Sequence, residues 1–336
     1  MSEANKQLIN IVRSSLYDFD LNTVAVAIEK AFHPGALIQL SFPFETLPGG
    51  PKGLLNEVLV PLAKALPDLE RRDTIVMSGT TDSGRHWVGC CGYYTGIFTK
   101  SWLNINPTGH QISLRFHEFY RVEEGQILEM QAIWDIPELM MQAKAWPMVP
   151  SLGREWHVPG PATQDGIILG PRDDERSNDS LALVTNMCAG LANFSTGGAE
   201  AMELEKYWHP RCNWYGPSGI GTGRGLSGFR NWHQIPFLNT FPDRGGIPEK
   251  RNMFADGDYV GFTAWPGIRM TVSGDGWLGI AQAGQQITMR SLDFWRCEKG
   301  LIRENWVLID LLDVYHQLGV DVLGRMREFN KAKRLS

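Results

Sequence analysis

The spacing of apolar positions changes several times along the chain, and each change marks an element. Residues 5–32 place Leu8, Ile9, Val12 and Leu16, then Val24, Ala27, Ile28 and Phe32, at helical intervals, with a break near residues 18–22. This predicts two successive helices. The second stops at His33-Pro34, because a residue before proline leaves the α region. Residues 36–42 (ALIQLSF) read as a strand, 43–53 as a Pro- and Gly-rich loop, and 54–66 as a third amphipathic helix ended by Pro67. Four apolar runs follow as strands, at 71–79, 86–98, 109–121 and 126–134. The order is helix, helix, strand, helix, then an antiparallel sheet, which is an α+β pattern with the helices grouped on one face.

The pattern then repeats. Helices are expected at 178–194 and 198–208, a strand at 212–216, the loop GPSGIGTGRG, a helix at 226–240, and a second sheet. A shift of 175 positions pairs Trp102 with Trp277, Arg115 with Arg290, Phe119 with Phe294, Arg121 with Arg296, Gly125 with Gly300, Glu129 with Glu304 and Asp135 with Asp310. One register over so many positions is a tandem duplication, with a period far too long for a solenoid. We therefore expect one domain over 1–145, a linker over 146–176 and a second domain over 177–330. Five prolines and four glycines in the linker predict an extended, semi-rigid strap.

Composition narrows the reading. At 336 residues, 43% hydrophobic and 21% charged, the chain has the makings of two globular domains. A net charge of −5 with no basic stripe argues against a nucleic-acid partner. No apolar run reaches membrane-spanning length. Five cysteines without a CxxC spacing, and no apolar signal region at the N-terminus, point to free thiols and a cytoplasmic location. No HxH or HExxH occurs, so no metal is expected. GTGRG at 221–225 lacks the Lys-Ser/Thr ending of a phosphate loop.

The chemistry concentrates in residues 284–319, which read as strand, tight turn at Cys297-Glu298-Lys299-Gly300, strand and helix. Asp293 lies in the middle of the first apolar run, and a carboxylate there asks for a reason. It is either a functional acid or one half of a salt bridge with Arg290 or Arg296. Alternation puts both arginines on the opposite strand face. His233, on the third helix, is either a substrate-orienting group or a hydrogen-bonded helix histidine. Trp214, Tyr215, Tyr259, Trp265 and Trp306 are candidate pocket walls, with the protein core as the alternative for each. Asp310 reads as a helix N-cap and Glu304 as a salt-bridge partner.

The second copy resembles the SnoaL-like polyketide cyclases of the NTF2-like superfamily. The resemblance rests on Trp208-His209-Pro210, Trp214-Tyr215-Gly216-Pro217, His233-Gln234-Ile235-Pro236-Phe237, Phe241-Pro242-Asp243-Arg244, Asp293-Phe294-Trp295-Arg296 and Glu304-Asn305-Trp306 through Asp310. It implies two NTF2-like cones, each a curved antiparallel sheet wrapped on three helices around a pocket. Such domains usually pair through their sheets. We expect the two copies to form that pair within one chain, with a homodimer also open. It also implies cofactor-free acid/base catalysis on a hydrophobic polycarbonyl small molecule, closing a ring by an intramolecular aldol step, with Asp293 at the position of the family's catalytic aspartate. A non-catalytic small-molecule-binding module and a dehydratase or hydrolase are the alternatives. In the first copy Glu118 replaces Asp293 and Val58 replaces His233, so Glu118 is the candidate first-copy acid.

Overall fold

A computed structural model describes residues 2–281 and 284–334. The first repeat opens with two helices, α1 (Ser2–Tyr17) and α2 (Leu21–Ala31). The second is capped by Asp20, whose side chain accepts from Thr23 N. Strands β1 (Phe32–Leu40), β2 (Glu45–Thr46), β3 (Glu70–Thr80), β4 (His86–Ile97), β5 (Gln111–Glu123) and β6 (Gln126–Trp134) form one six-stranded sheet in the order β2-β1-β6-β5-β4-β3. The second repeat builds β7 (Trp208–Tyr215), β8 (Thr222–Arg224), β9 (Gly245–Gly246), β10 (Arg251–Asp256), β11 (Tyr259–Thr271), β12 (Gln286–Glu298) and β13 (Leu301–Ile309). Their order is β10-β11-β12-β13-β7-β8, with β9 on β11. In both sheets the first long strand runs parallel to the last, and the remaining long pairs are antiparallel. This is the α+β architecture read from the sequence.

The two central hairpins turn identically. Glu124-Gly125 and Lys299-Gly300 all have positive φ (49°, 76°, 52° and 76°), the two-residue turn whose twist matches that of the flanking strands. Glycine removes the steric cost at the second position.

The third helix of each repeat, Pro51–Ala65 and Gly225–Thr240, widens in its middle into a π turn, at Leu54–Leu59 and Arg230–Gln234. Pro61 and Pro236 follow these turns. A proline has no N–H to give to the helical ladder, which accounts for the irregularity at this point. Between Leu191 and Trp208 the expected helix over 198–208 does not form. Gly198 (φ 68°) ends one turn of helix at Phe194–Gly197, and Glu203 (φ 48°) separates two 3-10 turns. The preceding helix, expected at 178–194, runs from Asp174 to Leu191 and is capped by Asp173.

Each repeat buries a core between its sheet and helices, and the first repeat's core also takes in Leu312, Tyr315, Val322 and Met326 from the C-terminal end of the chain. A third cluster lies between the two sheets and contains Phe119, Phe254, Phe294, Tyr259 and Trp306. At its centre Phe119 stacks on Phe294, its own counterpart 175 positions on, at 4.8 Å between ring centroids and 22° between planes. The contact is self-complementary, like the two-fold interface of a homodimer, but it is made within one chain. Gly89 makes room for it, since a Cβ there would come within 2.8 Å of the Phe294 ring. His117 Nδ1 meets Leu292 O at 2.6 Å, also across the two sheets. Residues 146–173, which carry no helix, lie along both sheets: Val76 N donates to Gly166 O, Arg154 bridges Thr222, and Pro159 O accepts from Trp306 Nε1. They cover edges that would otherwise be open to other strands.

Candidate functional site

Asp293 sits in β12 between Phe262 of β11 and Val307 of β13. Alternation along β12 puts Met289, Ser291, Asp293 and Trp295 on the face toward the helices, and all four line a cavity of about 220 Å³. The opposite face, with Leu292 and Phe294, packs on the first repeat. The arginines that could have neutralised Asp293 are held elsewhere. Arg290 pairs with Glu45 (2.6 Å) and Asp310 (3.0 Å), and Arg296 with Glu304 (2.6 Å) and Glu298 (2.9 Å). The hydrogen bond given to Asp293 comes from Ser291 Oγ, 2.7 Å from Oδ1. Burial among apolar walls pushes the Asp293 carboxyl up to about 7, against the smaller opposing pull of that bond.

His233 lies in the π turn of the third helix and lines the same cavity. Its ring stacks on Trp214 at 3.9 Å and 11°. Burial, and secondarily the charge of Arg244, lowers its pKa to about 3, so the imidazole is neutral at physiological pH. Its Nδ1 is buried without a partner. So are Gln234 Oε1, Trp208 Nε1 and Trp295 Nε1, on three other cavity-lining residues. These four atoms lie on residues around one space, where a ligand or water can supply the missing bonds.

Of the five aromatic residues expected to wall the pocket, only Trp214 lines it. Tyr215, Tyr259, Trp265 and Trp306 belong to the cluster between the sheets. The reason is strand parity: Trp214 is on the cavity face of β7, so Tyr215 is not, and in β13 Asn305 and Val307 face the cavity while Trp306 faces away. Residues missed in the sequence are Gln234, Arg244, Ser291, Trp295 and Asn305. Parity alone would have found Ser291, Trp295 and Asn305.

Asp310 accepts from Asp313 N at 3.3 Å and caps the helix Leu311–Gln317, while pairing with Arg290. Asp135 does the same in the first repeat, capping Ile136–Gln142 and pairing with Arg115 at 3.1 Å. Glu304, besides its pair with Arg296, accepts from Tyr215 OH at 3.2 Å.

Glu118 stands where Asp293 stands, in an opposite setting. It is fully buried, and its oxygens accept from Arg71 Nη1 (2.5 Å), Tyr120 OH (2.5 Å), Trp134 Nε1 (2.9 Å) and Tyr94 OH (3.1 Å). In the second repeat the 175 shift replaces Tyr120 by Trp295, Trp134 by Ile309 and Arg71 by Gly246. Each change removes a donor from the acid.

Among the described residues no group of three or more His, Cys, Asp or Glu is placed to hold a metal ion, and no helix is long and apolar enough to cross a membrane.

No curated protein matches the chain. Solved structures similar to it include AclR of Streptomyces galilaeus (17% identity, 45% of this chain and 87% of that one, TM-score 0.37) and IdmH of Streptomyces antibioticus (19%, 42% and 98%, 0.35). A SnoaL-like protein of Jannaschia sp. CCS1 is similar at 16% identity, over 42% of this chain and 91% of that one, with a TM-score of 0.36. The family model described as SnoaL-like polyketide cyclase matches twice, over residues 27–143 and 192–318. The chain belongs to the SnoaL-like polyketide cyclase family, with two copies of the family's domain in tandem.

Proposed function

We propose that the second repeat is a cofactor-independent acid/base catalyst acting on a hydrophobic polycarbonyl molecule. Asp293 removes a proton from a carbon flanked by two carbonyls, breaking the C–H bond. The carbanion attacks a second carbonyl of the same molecule, a C–C bond forms, and the protonated Asp293 returns its proton to the new alkoxide. Nothing is oxidised or reduced. The observation that carries this reading is a carboxyl with no cationic partner among the described residues, on the wall of a largely apolar cavity. Raised to about 7, it is a stronger base than an ordinary carboxylate and still substantially ionised at neutral pH. His233, neutral, hydrogen-bonds a substrate oxygen and stays in plane through its stack on Trp214. In this reading the first repeat is structural, since Glu118 is consumed by its four donors.

The test is proton exchange at the acidic carbon of methyl benzoylacetate in D2O, followed by NMR with wild type and Asp293→Asn. Wild type is expected to exchange the proton at least tenfold faster than the variant. Binding of the ester with equal exchange rates in both proteins would leave a binding module without catalysis.

A further inference from the structure

The buried arginines Arg71, Arg115 and Arg296 are held by the carboxylates of Glu118, Asp135 and Glu304, and the half-buried Arg290 by Asp310. Arg244 departs from that rule. It is half-buried, its Nη2 donates to Leu191 O at 2.7 Å, and it has no ion-pair partner among the described residues. Burial, with no opposing carboxylate, lowers its pKa. A sheltered guanidinium has four other N–H donors in a planar fork that matches a carboxylate.

Its position gives this meaning. Arg244 lines the Asp293 cavity and also a second pocket of about 330 Å³ outside it. The two spaces share Cys188, Leu191, Phe262 and Ile268 as walls, so they adjoin. The outer pocket has two guanidiniums, Arg244 and Arg251, and no carboxylate among its described lining residues. On its rim, a Cβ at Gly245 or Gly246 would meet nothing within 4 Å, so this side is open. Among the described lining residues charge is therefore ordered along the space: Arg251 on the outer pocket, Arg244 on the wall that both spaces share, and Asp293 on the inner cavity. An ionised Asp293 repels an anion from the inner end, while Arg244 attracts it to the outer one.

We propose that Arg244 is the anchor for a carboxylate carried by the substrate, holding that end of an otherwise apolar, flat molecule at the mouth of the cavity while the reacting carbon lies at Asp293. The substrate class is thus a polycarbonyl acid rather than a neutral ester. This rests on the acid/base reading of the Asp293 cavity.

The test uses two probes of nearly equal shape, 2-naphthoate and methyl 2-naphthoate, with binding read from quenching of the tryptophan fluorescence. Wild type is expected to bind the acid about tenfold more tightly than the ester, the effect of one charge-assisted pair. Arg244→Gln should still bind both probes, with the preference for the acid erased. Arg244→Lys, keeping the charge, should retain part of it, and Arg251→Gln most of it. Equal affinity of wild type for acid and ester, with both bound, overturns the anchor and leaves the cavity reading standing. A preference that survives Arg244→Gln, or is lost only in Arg251→Gln, overturns the assignment to Arg244. Binding of neither probe overturns the anchor and the cavity reading together.

Discussion

Glu118 and Asp293 stand 175 positions apart at matched sites of a duplicated hairpin, one locked by four donors and the other, among the described residues, bound by the hydroxyl of Ser291. The two repeats have kept the skeleton of the hairpin, including its Arg–Asp cap pair and its Arg–Glu cross-strand pair. They have divided the use of the acid. A locked carboxylate contributes to folding; an unlocked one costs stability and can carry a proton.

That cost has a sign that can be measured. Asp293 holds its proton more tightly in the folded state than in the unfolded one. Its contribution to stability is fully present below the unfolded value, near 3.8, and is lost as pH rises to about 7. Three pKa units set a ceiling of about 4 kcal/mol. Asp293→Asn removes the buried charge, so urea unfolding at pH 8 should find the variant more stable than wild type by about 2 kcal/mol. The gap should shrink toward pH 5. A variant less stable than wild type at pH 8 would show Asp293 to be a structural acid.

Glu118→Gln should behave in the opposite way. It leaves the buried Arg71 with Asp73 alone and strips the acceptor charge from two tyrosines and a tryptophan. The expected loss is about 3 kcal/mol of stability, seen in thermal melts, with proton exchange unchanged in the folded protein. A loss of exchange without a loss of stability would move chemistry into the first repeat.

Phe294 and Phe119 hold the repeats together across the facing sheets. Phe294→Ala should cost about 3 kcal/mol or more through the cavity it leaves. With that surface already covered, the wild-type chain should sediment as a monomer at micromolar concentration; a dimer would require a different face.

His233 is held neutral by burial and by Arg244. Its Cε1 proton should therefore show no titration between pH 5 and 8, when assigned by comparison with His233→Gln. A midpoint near the ordinary 6.5 would place the ring in water and remove it from the cavity.

How much of this was legible in the residues depends on what each signal encodes. The duplication, the Lys299-Gly300 and Glu124-Gly125 turns and the Asp310 cap are local, and were readable. So was the face of Asp293, because strand parity alone separates it from Arg290 and Arg296. Tyr215, Tyr259, Trp265 and Trp306 have the aromatic character of pocket walls, but strand parity decides the face and turns them to the cluster between the sheets. A second, intrachain sheet interface consumes large side chains that a lone domain would have had to place elsewhere. The helix expected over 198–208 failed for a local reason, the positive φ at Gly198 and Glu203. Arg244 follows a Pro-Asp loop, and no periodicity in the sequence brings that loop to the mouth of a cavity.

The most direct test of the division between the repeats is the titration of Asp293 itself, by carboxyl 13C NMR with Asp293→Asn to assign the signal. A midpoint near 7, absent from the variant, is the result predicted for a carboxyl on the cavity wall with no cationic partner among the described residues. A midpoint at or below the ordinary aspartate value would mean that Asp293 is solvated or paired, and would contradict its role as the base.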